Sequence, residues 1–262
     1  MIKVDGKVLA GKIIAELKSR PTPSNELAAV LVGENAASAS FLKQKGKIAD
    51  ELGIRFVVHN LSAGLSEREL IAELIKIISS ANVGGFILQL PLPEKYDRAV
   101  ILSVLPAEKD VDALTGKGTA VPPAVLAVQD ILKEVNFPIT DKVVGVVGRG
   151  LLVGRPIAEW FSGKCREVVV FHTGTDLARI KDCDLVICGT GKSGLIRQEM
   201  LKAGAGVIDF GFGMVDGKIR GDFDPPSLVI SHSLLSFYTP TPGGTGPVLV
   251  AELFRNFYKL SK

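Results

Sequence analysis

The sequence predicts an α/β protein on mostly parallel sheets, in two domains: an N-terminal αβα domain, the candidate substrate domain, and a Rossmann-like, doubly wound domain behind it. Three observations carry that expectation. Short apolar or β-branched runs alternate with segments of helical period along nearly the whole chain, as in successive βαβ units. One such run, Val143 to Val147, passes directly into a turn holding Gly148, Gly150 and Gly154, and then into the apolar segment Ile157 to Phe161. Later runs also end in glycines, and always at the same end of the strand.

The bulk numbers agree with this and exclude other classes. A chain of 262 residues suits one large or two modest domains, and 47% hydrophobic residues supply a sizeable core. A net charge of +3 gives no pointer to nucleic acid or to an anionic membrane. The start, MIKVDGKVLAGK, has no signal-peptide pattern, and Gly, Asp, Lys or Pro interrupts every apolar run before it could span a bilayer. Cys165, Cys183 and Cys188 are too few and too irregularly spaced for a disulfide framework or a zinc site; they read as reduced packing residues of a cytoplasmic protein. His59, His172 and His232 are scattered, so no metal site is expected.

Taken in order, Asp5 should cap a helix from Lys7 to Arg20 with Val8, Ile13, Ile14 and Leu17 as its stripe. Leu27 to Val32 reads as a strand. The next helix, Ala37 to Leu52, has Phe41, Ile48 and Leu52 as its apolar face, and Lys45 falls on that face. Two readings stay open for Lys45. Desolvation would lower its pKa and make it a base near neutral pH; alternatively its stem packs while its ammonium reaches water. Ile54 to His59 is a strand, and Ser66 with Glu69 forms a capping box for a helix to Ile78. The strand from Gly85 stops at Pro91 and Pro93, with Gln89 at its C-terminal end. In open parallel sheets ligands bind at that edge, although Gln89 could equally bond a loop. Tyr96 to Val104 is a helix. Asp110 and Asp112, in Lys109-Asp-Val-Asp112, either orient a substrate amine or amide or form a solvated turn. Pro122 and Pro123 open a helix to Val135 that leads into the second domain.

There, the turn after Val147 brings backbone N–H groups and a helix N-terminus toward one point, as a phosphate requires. Its spacing, G-x-G-x-x-x-G, is one residue longer than the usual dinucleotide fingerprint, so locally a plain tight turn fits as well. The next strand, Val168 to Phe171, ends in His172 and Thr173, where an NAD site would carry an acid for the ribose 2′-hydroxyl. No acid at that position, with Arg149 in the glycine turn, favours a 2′-phosphate and hence NADP. Asp184 to Cys188 ends in Gly189-Thr190-Gly191, and Gly206 to Asp209 in Gly211-Phe212-Gly213. Repeated glycines on one edge turn the argument toward a dinucleotide crevice. Tyr238 to Pro247 is rich in Pro and Gly, so its backbone can approach a planar ligand. Val248 to Leu260 closes the chain as a helix.

Five blocks, in order, resemble one family. Val32-Gly-Glu-Asn-Ala-Ala-Ser38 with Phe41 and Lys45 resembles its V-G-x-x-x-A-S-x-x-Y-x-x-x-K signature. Gln89-Leu-Pro-Leu-Pro93, Lys109 to Asp112, Gly148-Arg149 with Val153-Gly154-Arg-Pro156, and Thr239 to Pro247 resemble its other blocks. The family is the bifunctional methylenetetrahydrofolate dehydrogenase/methenyltetrahydrofolate cyclohydrolase family of one-carbon metabolism. The resemblance implies NADP-dependent oxidation of methylenetetrahydrofolate to methenyltetrahydrofolate, and hydrolysis of that product to formyltetrahydrofolate. It implies a folate-binding catalytic domain of residues 1–118 plus 248–262, an NADP-binding domain of 119–247, and a cytoplasmic homodimer acting on a small folate without nucleic acid, membrane or metal.

Position by position, Lys45 matches the catalytic lysine, Gln89 the residue that tunes it, and Asp112 the carboxylate that holds the pterin. Phe41 and the backbone of Pro242, Gly243 and Gly244 match the substrate's surroundings. Gly148, Arg149, Gly150 and Gly154 match the phosphate loop, and His172, Thr173, Thr190 and Phe212 further cofactor contacts. The chain departs from the family at Phe41 for tyrosine, Ala120-Val-Pro-Pro123 for P-C-T-P, Gly150 for serine, Gly213 for asparagine and Leu249 for threonine. All five remove polar groups. They motivate two alternatives, a dehydrogenase without the hydrolytic step and a folate or dinucleotide binder that does not turn over.

Overall fold

The structure is a computed structural model that describes residues 1–225 and 235–261; His232 lies outside them. The first half runs β1 (Ile2–Lys3), α1 (Gly6–Lys18), β2 (Glu26–Val32), α2 (Ala36–Leu52), β3 (Phe56–Leu61), α3 (Glu67–Ile78), β4 (Val83–Leu88) and the short α4 (Arg98–Ser103). The second half runs α5 (Pro123–Glu134), β5 (Val143–Val147), α6 (Gly154–Phe161), β6 (Glu167–Phe171), β7 (Leu185–Cys188), β8 (Ile196–Arg197) and β9 (Gly206–Asp209). The hairpin β10 (Gly213–Val215) and β11 (Lys218–Arg220) follows, then β12 (Phe223–Asp224), β13 (Phe237–Tyr238) and α7 (Thr245–Leu260).

The chain divides into two compact units, Lys12–Pro123 with Val250–Lys262, and Met1–Gly11 with Ala124–Leu249. In the first, a parallel sheet is ordered β3-β2-β4. All seven residues of the central β2 are buried, which is why this strand reads as a continuous apolar run rather than an alternation. Asn35 caps α2 by accepting from the Ser38 N–H, and Gly53 ends it at φ 69°. That C-terminal wrap, with the Ile54 N–H on the Ala49 carbonyl, uses up Ile54 and Arg55, so β3 starts two residues later than its composition suggests. The capping box at Ser66 and Glu69 is formed, and Leu70, Leu74 and Ile78 are the buried face of α3.

In the second unit a six-stranded sheet is ordered β1-β13-β9-β7-β5-β6, with every pairing parallel. The expected catalytic domain begins at residue 1, whereas the compact units divide the chain differently there. Ile2 and Lys3 pair with Phe237 and Tyr238, which places Met1–Gly11 in the later unit. A strand of two residues has no periodicity to read. Asp5 caps α1 as expected, its Oδ1 accepting from the N–H groups of Lys7 and Val8, but Val8 is exposed and the buried hydrophobic residues are Leu9, Ala10, Ile13, Ile14 and Leu17. Among the described residues no helix is long and apolar enough to cross a membrane. The three cysteines are unpaired.

Candidate functional site

In α2 the buried residues are Ser38, Leu42, Lys45, Ala49 and Leu52, at alternating steps of four and three. The stripe is therefore rotated from the expected one: Phe41 and Ile48 are half-buried at its margin, and Lys45 is at its centre. Lys45 is 8% exposed, which rules out the snorkelling alternative. Its Nζ donates to Gln89 Oε1 at 3.1 Å. Gln89 follows β4, where its own N–H donates to the Val30 carbonyl. Its Nε2 donates to the Leu90 carbonyl at 2.8 Å. A carbonyl can only accept, so the amide end is assigned and Oε1 must face the lysine.

The two aspartates of the Lys109–Asp112 block have different jobs. Asp110 is buried and accepts the Thr115 N–H through Oδ2 at 2.8 Å, and Lys109 reaches back to the Ile78 carbonyl at 2.7 Å. These two tie the loop down, so the solvated-turn reading fails. Asp112 is the electrostatic partner of Lys45. Its residue is half-buried, but protein crowds its carboxyl. That crowding raises the carboxyl pKa; the charge of Lys45 lowers it and Asp110 raises it again. Burial likewise lowers the Lys45 pKa from 10.5, with the charge of Asp112 acting against it. Burial thus draws the amine toward its free-base form and the carboxyl toward its acid form, one group able to take a proton beside one able to give it. Asn256 on α7, 2% exposed, holds the same loop by donating to the Val111 and Val121 carbonyls. The sequence reading missed it. Its signal was a lone amide between Phe254 and Phe257 in an apolar helix.

In the other unit the ends of β5, β6 and β7 surround a cavity of about 460 Å³. Gly148, Arg149, Gly150, His172, Thr173 and Thr190 line it, six of the eight residues predicted for the cofactor. Gly148 has φ +108°, and a Cβ there would lie 3.1 Å from the Gly189 carbonyl oxygen. Val153 heads α6 without any side-chain cap and the first turn holds no acid, so no carboxylate opposes its positive field; the Arg155 N–H already donates to the Gly150 carbonyl, and Pro156 has none. Gly154 does not line the cavity. It is a packing glycine, because a Cβ on it would come within 2.0 Å of the Gly148 carbonyl oxygen. Phe212, 40% exposed on the loop after β9, is not part of the wall either. Lys192 and Thr175 are wall residues that the sequence reading missed; both stand within two residues of ones it named. His172 has Nδ1 3.0 Å from the Thr173 carbonyl, which can only accept, so that nitrogen carries the hydrogen and donates it to the bond. The turn Pro242–Gly244 belongs to this unit, where the Gly6 N–H donates to the Gly243 carbonyl.

Comparison with known proteins covers both units. Residues 4–112 match the model of the tetrahydrofolate dehydrogenase/cyclohydrolase catalytic domain, and residues 122–262 that of the corresponding NAD(P)-binding domain. The chain is 34% identical to the bifunctional protein FolD of Halalkalibacterium halodurans, over 100% of this chain and 99% of that one. The crystal structure of the bifunctional FolD enzyme from Campylobacter jejuni superposes with a TM-score of 0.90 at 32% identity, covering 98% of this chain and 97% of the other. The Trypanosoma brucei methylenetetrahydrofolate dehydrogenase-cyclohydrolase, solved with NADP and an inhibitor, gives a TM-score of 0.90 at 28% identity, covering 99% and 97%. The chain belongs to the tetrahydrofolate dehydrogenase/cyclohydrolase family.

Proposed function

We propose that this protein oxidises methylenetetrahydrofolate to methenyltetrahydrofolate with NADP⁺ and hydrolyses the product to formyltetrahydrofolate. The observation that carries the reading is the buried amine of Lys45, held on Gln89 beside Asp112. As free base, Lys45 takes a proton from the water that adds to the methenyl carbon. A C–O bond forms; as the ring C–N bond breaks, Lys45 returns that proton to the departing nitrogen, and the remaining hydroxyl proton leaves to solvent as the formyl C=O forms. Gln89 keeps the amine in line, and Asp112 supplies the polar contact for the pterin. Pro242, Gly243 and Gly244 offer the substrate bare backbone, and Phe41 an apolar edge.

The cavity at Gly148 fits the dinucleotide: its volume is that of a small-molecule site, and its wall carries glycine backbone, with Gly148 close against Gly189. NADP⁺ supplies the hydride acceptor when bound. Gly148 and Gly150 give room for the pyrophosphate, with Gly154 packed behind them. Arg149, at a strand edge with no acid after Phe171, pairs with the 2′-phosphate, which favours NADP over NAD. His172, Thr173, Thr190 and Phe212 complete the cofactor contacts in this reading.

The test is to add methylenetetrahydrofolate and NADP⁺ to pure protein. Methenyl absorbance should rise and then decay; no rise at high concentration of folded protein overturns the reading. A second reading, hydride transfer alone, is favoured by Phe41, which puts no hydroxyl beside Lys45 where the family has tyrosine. It predicts methenyl absorbance that rises and decays no faster than without enzyme. A cytoplasmic setting suits the three unpaired cysteines. We further propose a homodimer; a monomer mass by light scattering would contradict that.

A further inference from the structure

Behind the cavity wall lies a buried pair of acids that the proposed chemistry does not use. We infer that Asp222 is a positioning residue for the dinucleotide, setting the cavity wall through Thr190, and that Asp209 holds it in place. The inference rests on the reading of that cavity as the cofactor site.

Asp222 is fully buried. Its Oδ2 accepts both from Thr190 N–H, at 2.5 Å, and from Thr190 Oγ1, at 2.8 Å. Thr190 Oγ1 in turn accepts the Lys192 N–H at 3.1 Å. Thr190 and Lys192 both line the cavity, so one carboxylate oxygen fixes two wall residues in series. Asp209, at the end of β9 and 1% exposed, fixes the other side of Asp222. Its Oδ1 accepts from Gly211 N–H at 2.7 Å and from Asp222 N–H at 3.2 Å, and its Oδ2 from Phe223 N–H at 3.1 Å. The Cys188 thiol also donates to Oδ1. Glycines make the room: a Cβ on Gly211 would lie 2.3 Å from Asp222 Oδ1, and one on Gly221 1.9 Å from Asp209 Oδ2.

Cys188, Asp209 and Asp222 bring their ligand atoms within 4.8 Å of one another, as a metal site would. A cation there would face three N–H groups already directed at Asp209, so hydrogen bonding explains the cluster better. Asp222 Oδ1 is buried without a hydrogen-bond partner. A bare buried carboxylate oxygen is costly, and the fold keeps it while the other oxygen holds Thr190.

The test is a double-mutant cycle read by calorimetric NADP⁺ binding and by KM for each substrate. Thr190→Val keeps the shape and loses the hydroxyl; Asp222→Asn loses the charge. Each should weaken NADP⁺ binding about tenfold, as for a hydrogen bond to a charged group, with the folate KM nearly unchanged. Thr190→Ser, which restores the hydroxyl, should recover affinity relative to Thr190→Val. The double variant should bind no worse than Asp222→Asn alone. Wild-type affinity in Thr190→Val, or effects that multiply in the double variant, would overturn the inference; Thr190→Val decides the matter even where Asp222→Asn does not fold. Wild-type protein that binds no NADP⁺ would overturn the cofactor reading itself, and this inference with it.

Discussion

Around Lys45 the chemistry comes from side chains altered by burial; around Gly148 it comes from backbone laid bare by absent side chains. The first arrangement needs a dry, packed helix face and exact partners, because a buried amine is useful only while its hydrogen bonds hold it. The second needs turns of unusual φ, and it tolerates change in whatever side chains surround them. Substitutions should therefore separate the two steps, chemistry failing in one region and affinity in the other.

The largest separation should come from Lys45→Met. It should lower hydrolysis of supplied methenyltetrahydrofolate by about 10²–10⁴-fold, the range of general acid–base catalysis, while NADP⁺ affinity by calorimetry stays at the wild-type level. Stability should not fall. With a folded pKa below 10.5, the unfolded chain holds this proton more firmly, so Lys45 by itself makes the fold less stable as pH drops below 10.5. An apolar replacement removes that penalty, and thermal unfolding at neutral pH should show an equal or higher Tm.

The reverse separation should come from Gly148→Ala. At φ +108°, with a carbonyl oxygen 3.1 Å from the new Cβ, the change should cost about 1–3 kcal/mol of stability in denaturant titration and weaken NADP⁺ binding. Hydrolysis of supplied methenyltetrahydrofolate should persist. Arg149→Ala should reduce the preference for NADP⁺ over NAD⁺ about tenfold in kcat/KM, the worth of one charge-assisted contact to a phosphate. Phe41→Tyr is the mildest change, a hydroxyl added at the half-buried margin of α2. We expect hydrolysis to change by no more than about fivefold, about 1 kcal/mol for a hydrogen bond, with hydride transfer unaltered.

The fold was legible because βαβ repetition writes itself into apolar runs: buried β2 is a Leu, Ala and Val run after Glu26, and β5 a Val run around Gly145. Very short strands left no such trace. β1, β8, β12 and β13 have two residues each and are defined by their partners, not by their own pattern. The Lys45 site was half legible. Helical period placed the lysine on the inner face but gave the wrong stripe, because Phe41 is more apolar than Ser38 and yet Ser38 is the buried one. Asp112 could be separated from Asp110 only by hydrogen bonds across the loop. The cavity was legible through its glycines. Asp222 was not, because a buried polar residue that acts through backbone groups distant in sequence has no local signature, and Asn256 showed only as a lone amide in an apolar helix.

All of this turns on whether burial holds the Lys45 amine near its free base. A side-chain NMR titration of protein with labelled lysines, assigned through Lys45→Met, measures that directly. The account predicts that Lys45 loses its proton at a pH below 10.5, and that hydrolysis loses rate as pH falls through that lowered pKa. An amine that titrates at or above 10.5, or a hydrolytic rate indifferent to its charge, would contradict it.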